Sequence, residues 1–174
     1  NNSKLKLPGD LIQFGEPLQQ SAERTLFELT GLNRIYLKQF GVFDDPHRLT
    51  PAEDREWLRN NSGVDVKRVI TIAYYSLIKI DESKQTHLSL LYGASWYGIN
   101  EIPGLIFDHN QIVMNGLNSL RQELLTQPLA YELLPEKFTL NQVQKVYETI
   151  LGNPLDNRNF RKKIELQLFL LIIF

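Results

Sequence analysis

The segment "TLNQVQKVYETILGNPLDNRNFRKKI", residues 139–164, leaves this chain few ways to fold. Thr139 and Gln142 have the spacing of a capping box, in which each side chain accepts a hydrogen bond from the other's backbone N–H. Phe138 stands where it can staple onto Val143. Leu140, Val143, Val146, Tyr147, Ile150 and Leu151 recur at helical spacing and form one apolar face, and Gly152 supplies the stop. After the turn "GNPL", Asp156 can cap a second helix, "NRNFRKKI". Two short helices joined by a tight turn containing Gly describe a helix-turn-helix.

The second helix is strongly basic on one side. Arg158, Arg161 and Lys162 lie at i, i+3 and i+4, Phe160 and Ile164 point the other way, and Lys163 adds a fourth cation. On an isolated helix a solvated basic face is the ordinary explanation. After a helix-turn-helix turn the same face predicts DNA contact, with Arg reading guanine edges and Lys holding phosphate. Asn157 and Asn159 can add base or phosphate contacts. The formal net charge is only −1, so no global field draws a polyanion and the attraction must be local.

The remaining sequence is that of an ordinary protein that buries a core, 43% hydrophobic and 22% charged over 174 residues. There is no Cys, which excludes disulfides and Cys-ligated zinc and suits a reducing cytoplasm. No apolar run has the length of a transmembrane helix and the start does not read as a signal peptide, so a cytoplasmic protein without a membrane partner is expected. Leu18, Ala22, Leu26 and Leu29 predict a helix over 18–30, with Pro17 at its start and Gly31 at its end. "RIYLKQFGVF" (34–43) and "VKRVITIAYYSLIKI" (66–80) read as strands. The polar stretch between them, 44–65, reads as a long loop, and "ASWYGINEIP" as a strand and turn. Asp108 and Gln111 form a variant capping box for a helix with Ile112, Val113, Leu117, Leu120 and Leu124 inward. Gln127-Pro128 ends that helix and divides the chain into residues 1–127 and 128–174. The chain opens inside a motif and closes on the apolar "LQLFLLIIF", so residues are expected to be missing at both ends.

The front of the chain, "LPGD......E.......R...E..GL", resembles the Nudix box. That pattern runs Gly, five residues, Glu, seven residues, then Arg-Glu-apolar-x-Glu-Glu-x-Gly-apolar. Counting back from Gly31, Asp10 stands at the first Gly, Glu16 at the isolated Glu and Arg24 at the Arg. Thr25 falls on the first clustered Glu, Glu28 on the second and Leu29 on the third. Together with "DDP", "RVITIAYYSL", "WYGINEIPGLIFDH" and the 133–163 block, the chain resembles the Nudix-related transcriptional regulators from Leu7 to about Lys163. The resemblance implies an α+β protein: a Nudix-like α/β/α sandwich with a mixed sheet, lacking its first strands here, then a winged helix-turn-helix with an incomplete wing. It also implies a homodimer on operator DNA, governed by a sugar or ADP-ribose-like effector.

Nudix hydrolases place carboxylates three and four residues apart on a helix to hold Mg²⁺, which polarises phosphoryl oxygens and helps generate the attacking hydroxide. Here Glu28 alone remains of three, since Leu29 has no lone pair and the Thr25 hydroxyl is a poor substitute for an anion. No catalytic residue and no cofactor are therefore expected, and any metal would rest on Glu28 alone. The expected protein is a ligand-responsive transcriptional regulator that binds its effector without hydrolysing it. A Mg²⁺-dependent ADP-ribose-type pyrophosphatase is the alternative. Glu16 and Arg24 are expected to form a structural ion pair, with Arg24 contacting an anionic ligand as the other reading. Glu28, Arg24 and Arg68 are the candidate effector contacts, although Arg68, at the start of a strand, reads first as a solvated edge charge. His47, His87 and His109 lack ligand spacing, and His109 is better suited to the start of its helix. Tyr74, Tyr75, Trp96 and Tyr97 read as core.

Overall fold

The computed structural model describes residues 5–63, 66–79, 91–127, 129, 133–134 and 137–172. His87, Pro128 and the last two residues lie outside these. The chain divides into two compact units, residues 1–76 with 80–116 and residues 77–79 with 117–174.

The first unit begins with helix α1 (Leu18–Thr30). The Pro17 ring presets φ at −64°, and Gly31 ends the helix at φ 74°, its N–H donating to the Phe27 carbonyl. Glycine is required there twice over, because a Cβ would also run into the Tyr92 ring. The buried face is not quite the expected one. Ser21, Thr25 and Thr30 are buried, whereas Leu18 is 41% exposed, so the inward stripe is shifted around the helix from the apolar residues that predicted it. Buried Thr30 satisfies its hydroxyl on the Leu26 carbonyl, 2.6 Å away.

Strands β1 (Lys38–Phe43) and β2 (Thr71–Tyr75) pair antiparallel, from Lys38 opposite Tyr75 to Phe43 opposite Thr71. The register shifts between Gln39 and Gly41, which leaves Phe40 as the extra residue of a bulge. Its ring packs 5.8 Å from Tyr75 and edge-on to Phe43. Helix α3 (His109–Leu124) reaches this aromatic group through Gly116, where a Cβ would come within 3.0 Å of Phe40. A small residue lets the helix approach the sheet.

Helix α2 (Ala52–Ser62) occupies a stretch that reads as loop in the sequence. Its local signals are correct: Pro51 before it, Glu53 and Asp54 in the first turn, Arg59 in the last, and Gly63 at φ 69°. What it lacks is an apolar stripe, with Trp57 and Leu58 the only large apolar side chains. Trp57 meets the Phe107 ring edge-on at 5.7 Å. Residues 94–103 form no strand; they turn, with Glu101 N–H donating to the Gly98 carbonyl. Trp96 and Tyr97 are 42% and 47% exposed, so they are not core residues. The Asp108–Gln111 capping pair is replaced by other partners. Asp108 accepts from Arg48, and the Gln111 amide donates to Asn115.

The second unit is built on a core of Leu124, Val143, Tyr147, Phe160 and Ile164. Tyr147 and Phe160 meet edge-on with ring centres 5.2 Å apart. Leu124, Val143, Tyr147 and Ile164 are almost entirely removed from water, and each such burial contributes about 1.5–3 kcal/mol. Helix α4 (Leu140–Leu151) starts with the complete Thr139–Gln142 capping box and stops at Gly152, φ 77°. The Arg121 guanidinium donates to the Ile150 carbonyl and so serves the free carbonyls at that helix end. Helix α5 begins where expected, with Asp156 accepting from the Asn159 N–H at 2.9 Å, but it runs to Ile172 rather than ending at Ile164. Much of the apolar closing segment is thus helical. Among the described residues no strand follows α5, and no wing hairpin is present.

Candidate functional site

The Nudix-like box closes around one guanidinium. Arg24, on α1, donates through Nε and Nη2 to the two oxygens of Glu16, at 3.0 and 2.8 Å. Nη1 donates to Asp10 Oδ2 at 3.1 Å and to Glu28 Oε2 at 3.0 Å, and Nη2 donates also to the Leu11 carbonyl at 3.0 Å. All five N–H donors of the arginine are therefore in use. Glu16 also accepts from the Gln13 backbone N–H at 2.7 Å. Hydrogen bonding by Arg24 and then by Gln13 pulls the Glu16 carboxyl down to about 2. The expected Glu16–Arg24 ion pair is present, and Asp10, at a position where the motif has glycine, joins it.

This arrangement does not fit a Mg²⁺ cluster. Arg24 is itself the cation among Asp10, Glu16 and Glu28, Thr25 is buried, and Leu29 offers no ligand atom. Among the described residues no three His, Asp or Glu side chains assemble a metal site. Of the three candidate effector contacts, Arg24 and Glu28 are joined by the 3.0 Å pair, and the Glu28 side chain remains 49% exposed. Arg68 is held elsewhere, donating to the Asp44 carbonyl beyond the end of β1.

A second polar group lies at the start of α3, and the sequence reading did not assemble it. Arg48, whose side chain is only 5% exposed, donates to Asp108 Oδ1 at 2.8 Å and to the Phe43 carbonyl. His109 accepts the Leu7 N–H at Nδ1, 3.1 Å, and the Ile106 N–H donates to the Leu5 carbonyl. These bonds tie the segment before the box to the start of α3, a structural role of the kind expected for His109. Burial is the main cause that pushes the His109 imidazole down to about 4, with the Arg48 and Lys6 charges adding to it against Asp108 and Asp54. The hint in the sequence was the polar pair Asp108-His109 ahead of an apolar helix.

In the second unit, Phe160 and Ile164 are buried at 5% and 0% exposure, which fixes the rotation of α5. Asn157, Arg158, Asn159, Arg161, Lys162 and Lys163 are all exposed as a result. The sequence-predicted DNA contacts thus share one helix, four of them cationic. Asn157 also turns toward Gln144, whose Nε2 lies 2.6 Å from its Oδ1.

The two units define a class: a Nudix-like domain with a depleted box, and a helix-turn-helix unit of winged-helix type. The fold is that of a Nudix-like domain followed by a winged-helix unit. Residues 130–171 match the family described as the NrtR DNA-binding winged helix domain. A relative in Acinetobacter baylyi, the ADPR responsive transcriptional repressor NtrR, is 26% identical over 162 residues, covering 91% of this chain. The chain spans 58% of that protein's length. The crystal structure of Shewanella oneidensis NrtR complexed with a 27mer DNA is similar, with 25% identity and a TM-score of 0.69 over 92% of this chain and 68% of that one. A MutT/nudix family protein from Enterococcus faecalis shares the fold at 21% identity, with a TM-score of 0.62 over 90% of this chain and 65% of that one.

Proposed function

We propose that this chain is part of a DNA-binding transcriptional regulator whose Nudix-like unit senses an ADP-ribose-like nucleotide or a sugar without cleaving it. The observation that carries the reading is the exposed basic face of α5, held outward by buried Phe160 and Ile164. A helix so placed enters the major groove, where its N-terminal residues reach base edges. The Acinetobacter relative is named for its response to ADPR, and a Shewanella relative was crystallised on DNA. Both support the reading.

The box supports binding over hydrolysis, because Arg24 takes the place of a bound cation and two ligand positions are Thr25 and Leu29. The exposed Glu28 carboxylate is the natural hydrogen-bond acceptor for a ribose hydroxyl, while Arg24 would have to release a partner to serve a ligand. Arg68 is the cation proposed for a phosphate, since among the described residues it is held only by a 3.3 Å bond to the Asp44 carbonyl. The functional form is a cytoplasmic homodimer on a palindromic operator, and the effector shifts it between DNA-competent and incompetent arrangements. Such a shift requires different effector affinity in the two arrangements.

The experiment is a titration of duplex DNA from upstream of the protein's own gene, followed by fluorescence anisotropy, with and without ADP-ribose. Binding that ADP-ribose weakens or strengthens supports the reading. Absence of binding at low salt refutes it.

A further inference from the structure

We infer that Gln144, buried on α4, is a positioning residue that turns the Asn157 side chain so that its Nδ2 donors face DNA. The inference rests on the DNA-binding reading above.

Gln144 is 9% exposed, a polar side chain set between the apolar positions 143 and 147 of α4. Its Nε2 has three acceptors within reach: Glu148 Oε1 at 3.0 Å, the Leu155 carbonyl at 3.0 Å and Asn157 Oδ1 at 2.6 Å. The two hydrogens on Nε2 are shared among the three. Which end of an amide carries nitrogen is normally settled by the partners it faces. Here they leave no choice. The Leu155 carbonyl can only accept. Glu148 also accepts, because the Leu155 N–H donates to Oε1 at 2.9 Å, and this bond, with that from Gln144, lowers its pKa and keeps it ionised. Nitrogen must therefore face this group, and the Asn157 atom pointing at it must be oxygen.

Two consequences follow for α5. Both backbone groups of Leu155 are tied to α4, the N–H to Glu148 and the carbonyl to Gln144, so the turn that aims α5 is clamped. Asn157 then opens α5 with its oxygen occupied inward and its Nδ2 hydrogens left for the outside. An asparagine that reads adenine needs both ends of its amide, the oxygen for N6 and the nitrogen for N7. With its oxygen turned toward buried Gln144, Asn157 presents the nitrogen end outward. It suits an isolated acceptor, either purine N7, guanine O6 or thymine O4 on a base edge, or a phosphate oxygen.

The test has an arm that needs no DNA. Asn157→Asp keeps an inward oxygen, whereas Asn157→Leu removes it. The melting temperature of Asn157→Asp is expected to stay at or above that of the wild type, and that of Asn157→Leu to fall by about 4 °C or more. Equal losses in the two variants would mean that nitrogen faces Gln144, and would overturn the inference. The second arm follows the Asn157 side-chain amide signal of the ¹⁵N-labelled chain as duplex is added. That signal is expected to shift and its protons to exchange more slowly. A shift with any random duplex assigns the acceptor to phosphate, and one only with a duplex selected for tight binding assigns it to a base. If backbone signals of α5 move on DNA while the Asn157 amide does not, the donor role is wrong. If nothing moves, the DNA-binding reading has failed, and the melting comparison alone decides what Gln144 does.

Discussion

Arg24 grips Glu16 with two parallel hydrogen bonds, Nη2 to Oε1 at 2.8 Å and Nε to Oε2 at 3.0 Å, across eight residues of sequence. The geometry is the fork-on-fork pairing that arginine alone provides. Because the folded-state pKa of Glu16, about 2, lies below its ordinary 4.5, protonation favours the unfolded chain. The pair's stabilisation is complete above about pH 4.5 and is lost as pH falls toward 2. Glu16→Gln is expected to lower the melting temperature at pH 7 and to reduce the loss on acidification. Arg24→Lys, with a point charge in place of a fork, should lose most of the pairing as well. Melting curves from pH 3 to pH 7 for the three proteins check this; identical curves would reduce the pair to a surface contact.

His109 titrates in the neighbouring range for the opposite reason. Its imidazole is neutral in the fold, accepts from the Leu7 N–H, and has a pKa of about 4 against an ordinary 6.5. The unfolded chain therefore binds a proton that the folded chain refuses, and stability declines as pH falls from 6.5 to about 4. Asp108, Arg48, Lys6 and Asp54 are the charges around it. His109→Asn keeps an acceptor for Leu7 and cannot titrate. Its melting temperature should change less than the wild type's between pH 7.5 and pH 5, and a matching slope would remove His109 from the account.

The box should not support hydrolysis. With Thr25 and Leu29 at two ligand positions and Arg24 among the carboxylates, ADP-ribose and other nucleoside diphosphate conjugates should remain intact in excess Mg²⁺ or Mn²⁺. Product release followed by chromatography is the measurement. Metal-dependent turnover that Glu28→Gln abolishes would establish the pyrophosphatase alternative instead.

On DNA, the cations of α5 should separate into two behaviours. Arg158 and Arg161, both exposed, are the expected base-edge contacts and Lys162 the expected phosphate contact. Arg161→Ala should cost about 1–3 kcal/mol and relax specificity at one base pair, while Lys162→Ala should weaken all sequences alike and flatten the salt dependence by about one unit of slope. Binding to selected and random duplexes over a salt series distinguishes them. Equal affinity of wild type and Arg161→Ala at every salt concentration would leave the basic face as solvated surface.

How much of this was legible in the sequence follows from the reach of each interaction. The Thr139–Gln142 box, the stops at Gly31 and Gly152 and the start of α5 at Asp156 depend on hydrogen bonds between residues three or four apart. Neighbours in sequence settle these, and they read correctly. The box spacing likewise placed Arg24 opposite Glu16. Helix α2 was missed because its signals lie in capping and charge, and it has almost no apolar stripe to betray a period. Only the tertiary structure could choose partners across long separations. Leu7 and His109 are 102 residues apart and Arg48 and Asp108 are 60 apart, and no local pattern selects one such partner over another. Burial was also decided there. Which face of α1 turns inward depends on what packs against it, so Thr25 went into the interior while Leu18 stayed 41% exposed. The orientation of Asn157 is of the same kind, fixed by a glutamine 13 residues earlier that the turn brings within 2.6 Å.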